Sequence, residues 1–386
     1  MKGTYVTKQH YVSKFLLKNF ANEKDQVFES LVDMKKVYPT NINQSMCEKF
    51  VYEHSELDKN SLEKAFSDIE SFVAPKIEYI LQLLEDGNFE IKDIKNLVNE
   101  ILYEIIIFYY RSGAVLHEMS FQKENKDQQL SDLLKQISNS KYLKSLSRTI
   151  YDNYNFAIIK NERDDFLISD QFISTASLDV KSRFANISNR HIGLKGVIIL
   201  IPISSKFYIV FYDGDVPFDI QKDRMNVISS NTLNLINKCI INNCYNKCVS
   251  YNREVLEESL QEFKKHSPVG AILSYKSGLH ESYILKKEVF FYENDEKAYN
   301  LFANLEFQKY ENVKRNQVCP CDSGRKFKKC CLSAFENAEI MKNHIMKNVS
   351  HKIYMVNPEY VSERSIAELK SFEEPELLKQ VKEASR

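Results

Sequence analysis

The sequence has no tryptophan, nine glycines, eight prolines, and no excess of either charge, with 53 Lys+Arg against 53 Asp+Glu. So little Gly and Pro argues against a propeller, a chain built only of a sandwich, or a long disordered linker, and leaves helices to dominate. Balanced charge excludes a histone-like or acidic-tail character, so any nucleic-acid surface must be a local patch. No run reaches the ~20 apolar residues that a bilayer-spanning helix needs. The most apolar stretch, Leu97 to Tyr110, contains Glu100 and Glu104 and reads as a buried helix. The opening MKGTYVTKQHYVSKFLL lacks the apolar core and small-residue cleavage site of a secretory signal, so a cytoplasmic protein without membrane association is expected. Eight cysteines are too sparse for a disulfide scaffold.

What is present is an ordinary soluble composition, 43% hydrophobic and 27% charged, long enough for two or three domains of ~150 residues. Residues 1–60 read as short strands and turns. Residues 61–85 carry Leu62, Phe66, Ile69, Val73, Ile77, Ile80 and Leu84 at helical spacing, with Ser61 as a partial cap and Pro75 predicting a kink or a break. Residues 92–121 read as a second long helix, and 129–160 as one or two more. From Asp165 the pattern changes to β-branched and aromatic runs, FLISDQFIS and GVIILIPISSKFYIVFYDGD, which read as strands. IILIPI, apolar on both faces, predicts a central strand. Residues 226–265 return to helical spacing, 268–294 suggest a hairpin or two strands with Gly278 in the turn, and a short helix follows. No internal repeat or low-complexity tract is visible.

Four cysteines fall within thirteen residues, as CPCDSGRKFKKCC. Four thiolates at C-x-C-x8-C-C spacing suit tetrahedral Zn²⁺, which binds sulfur at ~2.3 Å and would replace a core that so short a segment cannot build. Ser323-Gly324 supplies the turn between the pairs. Four free cysteines or a redox pair are the alternatives; iron–sulfur spacings usually separate successive cysteines by two or more residues. From Glu311 to Cys331 there are six cations (Lys314, Arg315, Arg325, Lys326, Lys328, Lys329) and two anions (Glu311, Asp322), a net of +4; a tetrathiolate zinc site at −2 leaves a mildly basic face of +2. The segment from Asn316 to Leu332 resembles the SEC-C motif, C-P-C-x-S-G-x-x-[FY]-K-K-C-C, the zinc module at the C-terminus of the SecA translocation motor. There it docks on protein and ribosomal partners and is not catalytic. The resemblance implies Cys319, Cys321, Cys330 and Cys331 as structural zinc ligands, and Arg325, Lys326, Lys328 and Lys329 as the face for a protein or RNA/ribosome partner. Cys239, Cys244 and Cys248 fit an amphipathic helix in which small buried cysteines are common; a second metal site with a His is the alternative.

The rest of the chain resembles the bacterial family called domain of unknown function 4238. Its opening HYVP-x-F-x-L-R-x-F-like run is matched by HYVSKFLLKNF, with Ser13 for Pro and Lys18 for Arg. Its L-E-x-x-[LF]-x-x-[IL]-E helix is matched from Leu62-Glu63 to Ile69-Glu70. Its Arg in a long apolar helix is matched by Arg111, its strand end F-I-T-S-D-N-P by FLISDQF with Asp170 (without the Asn-Pro), and its apolar-Pro-Leu-Ser strand by ILIPIS. The resemblance spans residues 8–250 and brings no established activity.

At 100° per residue, Glu100, Glu104, Arg111 and Glu118 share one stripe of the second helix, and Glu63 and Glu70 one face of the first. Unpaired buried charge costs several kcal/mol, so the stripe is a salt-bridge network, a solvated face, or a functional site. Gathering His10, Glu63, Glu70, Arg111 and Asp170 would make a polar centre for acid–base or phosphate chemistry. The carboxylates could also take Mg²⁺, although no D-x-D or E-x-K spacing compels it. Arg111-x5-His117 also matches the R-x4–6-H signature of HEPN ribonucleases, which cleave RNA without metal, usually across a dimer; homo-oligomerisation is therefore open.

These readings predict an α+β chain. It comprises a mainly helical domain with a small central β-sheet (1–265), a strand/helix extension (266–312), a zinc knuckle (313–333) and a helical, charged tail (334–386). Three functions follow. One is a defence or toxin-like effector acting on nucleic acid or the translation machinery, as a nuclease or other hydrolase if it is an enzyme, with the knuckle as docking module. The second is a non-enzymatic adaptor, and the third a metal-free ribonuclease built on Arg111 and His117.

Overall fold

The computed structural model of the chain describes residues 6–120, 125–163, 165–180, 192–193, 195–264, 271–277, 280–286, 288–303, 306–347 and 353–355. Two compact units emerge. The first comprises Met1–Thr175 with Ile198–Lys265, the second Ala176–Val197 with His266–Arg386.

The first unit is α+β. Strand β1 (Lys8–His10) pairs with β4 (Cys47–Lys49) antiparallel, and helix α1 (Lys14–Lys18) follows β1 directly. Strands β2 (Gln26–Leu31) and β3 (Lys36–Asn41) form a hairpin at the edge of a four-stranded sheet of order β3-β2-β11-β6, where β6 is Leu167–Ser169 and β11 is Lys247–Ser250. Pro39 lies in β3, the edge strand, where a missing N–H costs least. A five-stranded sheet has the order β10-β5-β9-β8-β7, from β5 (Asn155–Lys160), β7 (Ser174–Ser177), β8 (Val197–Pro202), β9 (Phe207–Asp213) and β10 (Met225–Val227). Every residue of β8 is buried, so the doubly apolar IILIPI run is an interior strand, as its composition predicts.

Helix α2 (Ser61–Asp86) buries Leu62, Phe66, Val73, Ile77, Ile80 and Leu84 and ends on Gly87 in the left-handed conformation, whose N–H bonds Leu83 O. Pro75 neither breaks nor divides it. Ser61 is its first helical residue rather than its cap, and Asn60, with φ 61°, precedes it. The long helix expected over 92–121 is instead three: α3 (Ile91–Asn99), α4 (Leu102–Tyr110) and α5 (Gly113–Ser120). The breaks fall at Glu100-Ile101 and Arg111-Ser112, so the stripe of Glu100, Glu104, Arg111 and Glu118 is not a stripe on one helix. Glu100 pairs with Lys76 of α2 at the surface, and Glu104 has a buried carboxylate oxygen without a hydrogen bond. Helices α6 (Lys126–Ser138) and α7 (Ser140–Asn153) cover part of 129–160, but its last residues are β5. The span 226–265 likewise mixes helices α8 (Ser230–Asn243) and α9 (Arg253–Ser259) with β11. No helix of the described residues is long and apolar enough to cross a membrane.

In the second unit β12 (Ala271–Ser277) and β13 (His280–Lys286) form the expected hairpin, with Ser277 opposite His280, and β14 (Ile353–Met355) adds to β12. Gly278 lies outside the described residues. Helices α10 (Glu293–Ala303) and α11 (Leu332–Lys347) share a core with the cysteine segment: Tyr299, Phe307, Tyr310, Phe327 and Phe335 are buried together with Cys319 and Cys331. Of the expected helical tail, α11 is helical, Ile353–Met355 is instead strand β14, and residues 348–352 and 356–386 lie outside the described set.

Candidate functional site

The cysteine segment is a tight hairpin. Cys319 N–H donates to Arg325 O at 2.8 Å, and Phe327 N–H to Gln317 O at 2.8 Å, with Val318 and Lys326 bridged between them. The turn needs left-handed backbone at Asp322 (φ 60°) and Gly324 (φ 69°), which Asp and Gly tolerate best. A single 3₁₀ turn at Phe327–Lys329 then delivers Cys330 and Cys331 to the start of α11. Phe327, buried against Tyr310 and Phe335, anchors that turn.

The four sulfurs all lie within 4.8 Å of one another. Cys321 and Cys330 are 3.4 Å apart and Cys330 and Cys331 3.7 Å. Sulfurs at ~2.3 Å from a tetrahedral zinc stand about 3.8 Å apart, so the donor set fits that ion. The Ser323 hydroxyl lies 3.2 Å from both the Cys321 and Cys330 sulfurs. Burial works against the Cys321 thiolate, but hydrogen bonds from Ser323 and the neighbouring thiols outweigh it and bring the group down to about 6. Burial pushes the Cys331 thiol the other way, up. A bound cation would deprotonate both. Around the cage Lys314, Arg315, Arg325, Lys326, Lys328 and Lys329 are all exposed. Among the described residues this is the one group of three or more His, Cys, Asp or Glu side chains close enough to hold a metal ion; Glu63, Glu70 and Asp170 are not so gathered. Cys239, Cys244 and Cys248 are buried and likewise form no such group.

The second constellation centres on Arg111, 1% exposed and the bulkiest of the fully buried side chains described. It sits at the C-terminal end of α4, its guanidinium 4.8 Å from the Phe66 ring and 4.7 Å from the Phe108 ring. Nη2 donates to Ser13 Oγ at 2.6 Å and to Glu70 Oε1, and Ser13 Oγ donates to the same carboxylate oxygen at 2.8 Å. Arg111 Nε has no hydrogen bond. The Tyr52 hydroxyl donates to Arg111 O at 2.6 Å. Glu63, one helical repeat before Glu70, feels the same charges. Burial lifts its carboxyl to about 7, against the pull of Arg111 and with the repulsion of Glu70. His10 is buried with Nε2 3.1 Å from Ile42 O; a carbonyl only accepts, so that nitrogen carries the proton. Burial brings His10 down to about 4, so it is neutral at pH 7.

His10, Glu63, Glu70 and Arg111 therefore interact, while the Asp170 carboxylate is engaged elsewhere. Asp170, 1% exposed, accepts from the backbone N–H groups of Tyr245, Asn246 and Lys247 at 3.0, 2.7 and 3.0 Å and so fixes the entry to β11. Sequence reasoning missed Glu29. Its carboxylate is 2% exposed and accepts from Tyr38 Oη, Ser45 Oγ and Met46 N–H, with Lys247 Nζ 3.3 Å away. A Glu inside the alternating strand QVFESL was the available signal. His117 lies in α5, its side chain outside the described set.

An α+β first unit with a buried arginine centre and a second unit closed by four cysteines define a two-unit protein with a site of the kind that holds zinc. The chain belongs to the family described as protein of unknown function (DUF4238), whose model matches residues 8–254, about two thirds of its length. A SEC-C motif matches residues 315–333. No curated protein and no solved structure matches the chain.

Proposed function

We propose that this protein is a zinc-binding effector of bacterial defence that acts on nucleic acid or on the translation machinery, and that its C-terminal module docks it there. The observation carrying this reading is the conjunction of four sulfurs within 4.8 Å and six exposed cations on the same short segment. Zinc in this role is structural: it closes the hairpin, and Arg325, Lys326, Lys328 and Lys329 meet an anionic partner, RNA, ribosome or acidic protein. In the larger unit Glu63 is the group that could exchange a proton near neutrality, beside a neutral His10.

A non-enzymatic adaptor is the second reading, favoured by the complete burial of Arg111 against Glu70 and Ser13. The same burial leaves a metal-free ribonuclease with least support, since its arginine must reach a phosphate. The test is co-sedimentation of the full chain with ribosomes, together with cleavage assays on RNA, single-stranded DNA and duplex DNA with and without Mg²⁺. The effector reading expects association that fails in the Cys330→Ser/Cys331→Ser variant, and product that falls in Glu63→Gln. Association without any product leaves the adaptor; neither association nor product overturns both.

A further inference from the structure

Four thiolates around Zn²⁺ carry a charge of −2, and the two sides of the cage meet it differently. The six cations of the cysteine segment are all exposed, where water and salt screen them. Cys331 lies on the inner side, 5% exposed, where burial resists its negative charge. Helix α10, upstream of the motif, packs on that inner side. At 100° per residue Asn294, Lys297, Ala298 and Leu301 occupy about 100° of its arc. Ala298 and Leu301 share the buried core with Cys319 and Cys331, and Asn294 Nδ2 donates to Ser333 Oγ at 3.3 Å, two residues after Cys331. The same face therefore carries Lys297 towards the cysteines.

Glu293, one turn earlier, lies with Oε1 2.6 Å from Lys297 Nζ and fixes where the ammonium stands. The hydrogen bond to Glu293 first, and then the charges of Glu293, Cys331 and Cys330, hold Lys297 in its charged form against partial burial. The lysine side chain is 36% exposed and the glutamate 69%, so water weakens the carboxylate's field more than the ammonium's. Groups just outside the ligands set how firmly a metal is held, and a fixed cation on the drier side of an anionic cage acts at the lower dielectric. We propose that Lys297 is an outer member of the metal centre, a positioning residue that offsets the charge of the cage from α10. It rests on the zinc reading above. It carries the centre beyond the matched motif and ties metal binding to the seat of α10 on α11.

Competition for Zn²⁺ between the full chain and a chromophoric chelator tests it. Lys297→Met keeps the stem and removes the charge, and should bind zinc about tenfold more weakly. Lys297→Arg should recover most of that loss. Lys329→Met removes an equal charge from the exposed face and should stay within about twofold of the wild type. A second readout follows the sulfurs: iodoacetamide should alkylate the zinc-loaded Lys297→Met chain several-fold faster than the wild type, because a cage without its cation is more nucleophilic. Zinc affinity unchanged in Lys297→Met overturns the proposal and leaves the four-sulfur site standing. Equal weakening in Lys329→Met would make the effect one of net charge and overturns it too. So does a fall in the unfolding midpoint of Lys297→Met that is the same with and without zinc, which would make the lysine merely structural. A wild-type chain that takes up no zinc removes the site itself.

Discussion

Ser13 and Arg111 are ninety-eight positions apart, yet the arginine's Nη2 donates to the serine's Oγ at 2.6 Å in the interior of the first unit. Both then meet Glu70, which is 29% exposed while Arg111 is 1% exposed. The asymmetry decides what each substitution does. Removing the carboxylate strands a buried charge, whereas removing the arginine leaves a carboxylate that water can reach. Glu70→Ala should therefore cost about 3 kcal/mol in urea unfolding, and Arg111→Met clearly less. Ser13→Ala should cost about 1 kcal/mol. Equal losses for Glu70→Ala and Arg111→Met would show that the pair is not desolvated as described.

Two groups of this centre titrate in opposite senses. Glu63 has a folded value of about 7, above its ordinary 4.5, so the folded state binds the proton more tightly and stability falls as pH rises from about 4.5 to about 7. His10 has a folded value of about 4, below its ordinary 6.5, so stability rises over about pH 4 to 6.5. In the wild type the two slopes largely cancel. Glu63→Gln should expose the rising limb and His10→Asn the falling one, read as unfolding free energy against pH. Parallel profiles for the two variants would contradict the assignment.

Gly113, the first residue of α5, sits against the buried ring of Tyr11: a Cβ there would come within 2.9 Å of two ring carbons. The ring is fixed in the core, so Gly113→Ala should cost about 1–3 kcal/mol. A thermal-shift assay measures this directly; an unchanged midpoint would mean that the ring can move aside.

The parts of this architecture that the sequence reveals are those imposed by local chemistry. Four cysteines at this spacing have few uses, and Arg111 in an apolar run must find a carboxylate, which Glu70 supplies. The apolar IILIPI run likewise admits little but an interior strand. What stays hidden depends on distant register. Glu29 meets Lys247 only because β2 pairs with β11, with Leu31 opposite Lys247, and no window of sequence contains both. The amides that hold Asp170 belong to 245–247 for the same reason. Of the two breaks in the helix expected over 92–121, the one at Arg111-Ser112 falls where Arg111 and Gly113 meet Glu70 and Tyr11, and such tertiary contacts override helical periodicity.

Phe327 links the cysteines to the core of the second unit, lying 5.8 Å from the Tyr310 ring and 6.1 Å from that of Phe335. Phe327→Ala should cost about 3–5 kcal/mol and weaken metal binding as well, because the turn that presents Cys330 and Cys331 loses its anchor. Unfolding midpoints recorded with and without a chelator separate the two effects; a variant that loses stability but holds metal as tightly as the wild type would deny the link.

Native mass spectrometry of the full chain should find one zinc, about 65 Da, per molecule, absent from the Cys330→Ser/Cys331→Ser variant. A wild-type chain that takes up no zinc in the presence of excess ion, or a double variant that still carries it, would contradict the four-sulfur site and the docking module built around it.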